Sequence, residues 1–139
     1  MHQNEKIRID WNDIDRLALA LEERIRASGR SFNAVYGVPR GGLILAVLLS
    51  HRLGLKVLLD AARIGEDTLV VDDLSDSGET LQNISAATGA ISTAVLYHGA
   101  DSAFTPTFFA AAKPDGWLVF PWETAESSQY DSTVRATPL

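Results

Sequence analysis

Cysteine is absent from the chain, which excludes a disulfide framework and any thiolate-ligated metal centre. Clusters of Lys and Arg, the electrostatic footprint of a nucleic-acid binder, are also missing. The 18 acidic residues outnumber the 12 basic ones and leave a formal net charge of −6, a balance that disfavours long-range attraction of a polyanion. No apolar leader is visible, since residues 1–10 are polar and mixed in charge. The longest apolar run, residues 43–49, is too short to cross a bilayer. No internal repeat or low-complexity tract is present. These absences predict a cytoplasmic protein with neither membrane nor nucleic acid among its partners. A small phosphorylated ligand stays compatible with the acidic balance, because backbone amides, a few placed cations and a metal ion are enough to hold one.

What is present is ordinary globular material: 46% hydrophobic and 22% charged residues over 139 positions, enough for one packed domain. Asp10 followed by Asp13 reads as a helix start. Trp11, Ile14, Leu17, Leu21 and Ile25 then form a stripe of helical period, ended by Gly29. Residues 33–38 read as a short buried strand, 43–53 as an apolar helix ending at Gly54, and 56–59 as a second strand. Residues 68–73 read as a third strand buried on both faces, 74–78 as a loop, 79–88 as a helix stopped by Gly89, and 92–97 as a fourth strand. This alternation predicts an α/β fold with a central parallel sheet and helices on both faces. Beyond His98 the pattern changes. Residues 98–123 are rich in aromatics, Pro and Gly, and read as an appended subregion with one short strand, 117–120. Residues 125–139 read as a polar, mobile tail. The organisation expected is a single domain over 1–139, with a core of about 10–97.

Three segments carry chemistry. In Val70-Val71-Asp72-Asp73-Leu74-Ser75-Asp76-Ser77-Gly78-Glu79-Thr80-Leu81, a buried strand delivers two acids to its carboxyl end, where open α/β sheets place their ligands. The loop then becomes a helix N-terminus, whose amides and dipole favour a phosphate. Gly78 permits close backbone approach, and Ser77 and Thr80 add hydroxyl donors. Read alone, Asp76 or Ser77 would be a helix cap; the string of strand, acid pair, turn and helix points further. Tyr36-Gly37-Val38-Pro39-Arg40-Gly41-Gly42 is a Gly-rich turn between a strand and a helix, and lacks the Lys-Ser/Thr ending of a Walker A loop. Trp117-Leu118-Val119-Phe120-Pro121-Trp122-Glu123 offers an aromatic beside a strand edge, either a base-stacking platform or a small satellite core.

The first string resembles the signature of type I phosphoribosyltransferases that binds phosphoribosyl pyrophosphate. The resemblance implies that Asp72 and Asp73 contact the ribose hydroxyls, directly or through the water of a bound Mg2+. It implies a 5′-phosphate cradle formed by Asp76, Ser77, Gly78, Glu79 and Thr80. Asp76 is also placed near the base N7, where it would handle a proton. The resemblance makes Pro39, Arg40 and Gly41 a pyrophosphate loop, with the Arg40 fork as donor. With gaps, residues 34–123 resemble the bacterial xanthine–guanine enzymes. This likeness makes 98–124 a hood over the base, in which Trp117 stacks on the purine, the Leu118 carbonyl reads an exocyclic group and Glu123 lies near the same edge.

The resemblance implies displacement of pyrophosphate from C1 of phosphoribosyl pyrophosphate by a purine nitrogen, with Mg2+ as cofactor and a homo-oligomer, dimer or tetramer, as the assembly. Two departures qualify it. His98 stands where the family has a Lys for the 6-oxo group, and only residues 61–67 remain where the family has a long mobile loop. The shortened loop leaves a second reading, a regulatory protein that binds phosphoribosyl pyrophosphate or a nucleotide with little turnover. A third, an acid-pocket signalling domain, would not account for the phosphate turn. The tail, with Tyr130 and Arg135, is a candidate substitute cover.

Overall fold

Asp10 starts the first helix for a local reason. Its carboxylate accepts the Asp13 N–H at 2.8 Å, and the Asp13 side chain accepts the Asp10 N–H at 2.9 Å, so two otherwise orphaned donors are satisfied reciprocally. The computed structural model describes residues 5–90, 92–124 and 126; the expected tail, apart from Glu126, lies outside the described residues. In chain order the elements are β1 (Lys6–Arg8), α1 (Trp11–Ala27), β2 (Ala34–Gly37), α2 (Gly41–Leu53), β3 (Lys56–Leu58), a 3-10 turn (Ala61–Arg63), β4 (Thr68–Ser75), α3 (Glu79–Thr88), β5 (Ser92–His98), β6 (Phe108–Ala112) and β7 (Trp117–Val119).

Five strands form a parallel sheet in the order β3-β2-β4-β5-β6. Its centre is β4, where Leu69, Val70 and Val71 are all fully buried. Alternation divides them between two cores. Val35, Leu69, Val71 and Ala94 pack with Ile14, Leu21 and Ile25 of α1 and Leu45 and Leu49 of α2. Val70, Val95 and Tyr36 pack with Leu81 of α3 and with Ile64. Helices therefore cover both faces, as parallel strands require. Arg52 on α2 reaches Asp15 and Glu22 of α1 at 2.8 and 3.0 Å, fixing the two helices against each other. No helix among the described residues is long and apolar enough to cross a membrane.

Several expectations are corrected. Among the described residues the first element is the strand β1, which pairs in parallel with β7 to make a second, two-stranded sheet. The region after His98 contributes a fifth strand to the main sheet, β6, so it is only partly an appendage. The third strand continues through Leu74 and Ser75, because these pair with Tyr97 and His98 of β5; the loop is confined to residues 76–78. Trp11 is 56% exposed and lies outside the buried stripe, its ring 5.9 Å from that of Trp122. Residues 61–67 form a compact connection. Asp60 caps its 3-10 turn, Ile64 is buried, and the Thr68 hydroxyl accepts the Gly65 N–H.

The buried tyrosines set an alkaline limit. Burial pushes the phenols of Tyr36 and Tyr97 up, reinforced by the Asp60 and Asp13 carboxylates respectively. The folded chain then keeps protons that the unfolded chain loses near pH 10, so stability is full below that pH and falls above it. The urea midpoint should be flat from about pH 7 to 9 and drop beyond about pH 10. A Tyr36→Phe/Tyr97→Phe variant should lose part of that drop; an unchanged drop would assign it to other groups.

Candidate functional site

β4 ends where two helices begin, and the site is built from that coincidence. A cavity of about 190 Å³ opens at the carboxyl end of the strand and is walled by residues 72–81. Asp72 and Asp73 are 2% and 7% exposed, near the carboxyl end of β4. Asp72 Oδ1 accepts the Asp73 N–H at 2.8 Å, which holds that carboxylate against its own backbone. The Asp73 carboxylate lies against Gly41 at the start of α2, where a Cβ would overlap it. Glycine at 41 is thus what lets the turn 38–42 approach the acid pair. The same approach is secured from behind, where the Val38 N–H donates to the Val71 carbonyl at 2.9 Å.

Past Ser75 the chain turns through Asp76, Ser77 and Gly78 into α3. Gly78 takes φ +84°, and its α face is pressed against Ser102 and Phe104. Ser77 Oγ accepts the Glu79 N–H at 3.3 Å, while its carbonyl accepts the Ala103 N–H at 3.1 Å. The loop 99–104 therefore backs the turn. Asp76, Ser77, Glu79 and Thr80 are exposed at its mouth. The N-termini of α2 and α3 converge on the acid pair. Their amides and dipoles favour negative charge there, next to two carboxylates that would favour a cation. An anion bound together with a divalent cation meets both requirements. Among the described residues no group of three or more metal-ligating side chains occurs. A hard cation such as Mg2+ is commonly held by one or two carboxylates with waters and ligand phosphates, and the Asp72–Asp73 pair fits that pattern.

Of the expected site residues, Asp72, Asp73, Asp76, Ser77, Gly78, Glu79 and Thr80 form the cavity wall. Pro39, Arg40 and Gly41 reach it through the Gly41–Asp73 contact; the Pro39–Arg40 peptide is cis, and Arg40 is exposed. His98 ends β5 in register with Ser75, and the next residue, Gly99, donates its N–H to the Ser75 carbonyl at 2.7 Å. The hood residues lie outside the wall. Trp117 is 44% exposed, whereas the Leu118 side chain is buried in the main core. The Trp117 N–H donates to the Glu5 carbonyl and the Val119 carbonyl accepts from Ile9, so by alternation the Leu118 carbonyl lies on the edge of β7 away from β1. Glu123 Oε1 accepts the Phe120 N–H at 2.9 Å, a bond that shapes the hood turn.

Three contributors escaped the sequence reading. Ser75 belongs to the cavity wall, and its buried hydroxyl has no partner. Ser102 and Phe104 back the turn 76–78, and nothing in their local sequence announces it. β1 staples the hood; its signal was the alternation of Lys6 and Arg8 with Ile7 and Ile9. The hood is joined to the core by aromatics, Trp122 stacking on Phe120 at 5.0 Å and Phe120 meeting Tyr97 at 6.1 Å.

No family model matches the chain. It is 27% identical to the xanthine-guanine phosphoribosyltransferase of Gluconobacter oxydans over 84% of both chains. A purine phosphoribosyltransferase from Pyrococcus horikoshii superposes with a TM-score of 0.69 at 29% identity, covering 86% of this chain and 95% of that one. The Helicobacter pylori xanthine-guanine-hypoxanthine phosphoribosyltransferase gives a TM-score of 0.78 at 20% identity, over 93% and 99% respectively, a likeness of fold. With an acid pair and a glycine-bearing turn at the carboxyl end of the central strand, the chain is similar in sequence and fold to purine phosphoribosyltransferases, the xanthine-guanine enzyme among them.

Proposed function

We propose that the chain transfers the phosphoribosyl group of phosphoribosyl pyrophosphate to a 6-oxopurine such as guanine, xanthine or hypoxanthine, releasing pyrophosphate. The observation that carries the reading is the single wall of residues 72–81, in which two buried acids adjoin a phosphate-ready helix start. The name of the Gluconobacter oxydans relative supports the choice of base.

In this reading the amides at the start of α3, with the hydroxyls of Ser77 and Thr80, hold the 5′-phosphate. Asp72 and Asp73 orient the ribose hydroxyls and, through water, Mg2+, which when bound supplies positive charge to the pyrophosphate. Arg40 and the amides at the start of α2 take the negative charge that grows on the leaving group. Asp76 handles the proton at N7, and Trp117, Leu118, Glu123 and His98 hold the base in line with C1. No covalent nucleophile is needed. A dimer or tetramer belongs to the same reading. The compact connection over residues 61–67, pinned by Ile64, supplies no mobile cover and favours one alternative, a regulatory protein that binds phosphoribosyl pyrophosphate or a nucleotide with little turnover.

Base-dependent release of pyrophosphate, assayed with guanine, xanthine and hypoxanthine, tests the proposal. Ligand binding without release would favour the regulator. Within the same assay, Trp117→Ala should lose about 1–3 kcal/mol of purine binding, the worth of stacking a base on an aromatic. Phosphoribosyl pyrophosphate should bind the variant almost as it binds the parent. An equal loss for both ligands would make Trp117 a structural residue of the hood.

A further inference from the structure

We propose that His98 makes the base subsite accept a purine with either an oxo or an amino group at C6, so that 6-aminopurines bind beside 6-oxopurines. The proposal rests on the phosphoribosyl-transfer reading above and on His98 meeting the base. The observation behind it lies on the inner side of the ring. His98 Nδ1 is buried and has no hydrogen-bond partner among the described residues. In most histidine sites a carboxylate or carbonyl bonds one ring nitrogen and thereby decides whether the other is a donor or an acceptor. Nothing makes that decision here. In register on β6 stands Ala112, which is apolar, and the ring of Phe109 packs 5.0 Å away.

In register on β4 stands Ser75, whose buried hydroxyl is itself without a partner. The two groups do not bond each other, and a hydroxyl that can donate or accept favours neither tautomer. The outer nitrogen, Nε2, is not among the buried unpartnered atoms. In this proposal it donates to a 6-oxo group in one tautomer and accepts from a 6-amino group in the other. An ammonium at this position would only donate, and a carboxylate would only accept. A site built with one fixed polarity rejects the mismatched analogue by about 10⁴–10⁵, and an imidazole whose tautomer follows the ligand gives up that discrimination.

Inosine monophosphate and adenosine monophosphate isolate the effect, since they share phosphate and ribose and differ in the C6 substituent. Calorimetric titration of the full chain should give the two nucleotides dissociation constants within about tenfold of each other, well inside the range a fixed-polarity site would impose. His98→Lys should keep the inosine nucleotide and weaken the adenosine nucleotide by about a hundredfold or more. His98→Gln, whose amide offers both a donor and an acceptor, should stay close to the parent ratio. Rejection of the adenosine nucleotide by about a thousandfold or more in the parent would overturn the proposal, as would a ratio unmoved by His98→Lys in a folded variant. Should the Lys variant not fold, the parent ratio and the Gln variant decide. Failure of the parent to bind either nucleotide would overturn the phosphoribosyl-transfer reading along with this one, whereas tight binding of the inosine nucleotide alone would overturn this one only.

Discussion

Gly78→Ala is expected to destabilise the protein by roughly 2–5 kcal/mol, the sum of a left-handed backbone penalty and an overpacking cost, and to abolish binding of phosphoribosyl pyrophosphate. Two features combine at this residue. Its φ is +84°, and an added Cβ would run into Ser102 and stand 2.7 Å from Phe104 Cβ and 2.9 Å from Phe104 N. The chain can relieve the overlap only by moving the turn away from the loop 99–104, and that turn carries the proposed 5′-phosphate cradle. Gly89→Ala separates the two causes. Gly89 has nearly the same φ, +78°, but no atom of the described residues lies within 4 Å of an added Cβ. It should cost only the backbone penalty, about 1–2 kcal/mol, and leave ligand binding alone. Thermal unfolding of both variants, with ligand titration, checks the comparison. Equal destabilisation and equal binding would show that packing against Ser102 and Phe104 does not matter.

Asp73→Asn is expected to remove much of the Mg2+-dependent stabilisation by phosphoribosyl pyrophosphate while leaving the unliganded melting temperature almost unchanged. The substitution preserves shape beside Gly41 and deletes one negative charge from the cavity wall. A hydrogen bond to a charged group contributes about 1.5–3 kcal/mol, which corresponds to a loss of affinity of roughly ten- to a hundredfold. A ligand that binds only the folded state at about 100 times its dissociation constant stabilises by about 2.7 kcal/mol, so a ten- to hundredfold loss removes from about half to about six-sevenths of the shift. The measurement is a melting curve with phosphoribosyl pyrophosphate, with and without Mg2+, for parent and variant. Asp73→Asn binding as tightly as the parent would make the acid a structural residue, held for its contact with Gly41.

Residues whose conformation is decided by near neighbours were legible in advance. Asp10 and Asp13 cap each other across three residues, Gly54 and Gly89 end α2 and α3, and α3 begins and ends where its pattern said. The acid pair and the turn after it form one contiguous string, so their common location was carried by the sequence, and the sheet's parallel character by the alternation of apolar strands with helices. Residues whose role depends on a distant edge were not legible. Phe108–Ala112 is rich in alanine, a helix former, and is a strand because β5 offers an open edge. Lys6–Arg8 is a strand only because β7 lies beside it. Leu74 and Ser75 looked like loop until Tyr97 and His98 paired with them. The pairing of Ser75 with His98 across β4 and β5 is likewise a product of register. Local hydrogen bonds and side-chain period are short-range and are written into consecutive residues, whereas strand pairing is an interaction between segments far apart in the chain, settled only when the sheet assembles.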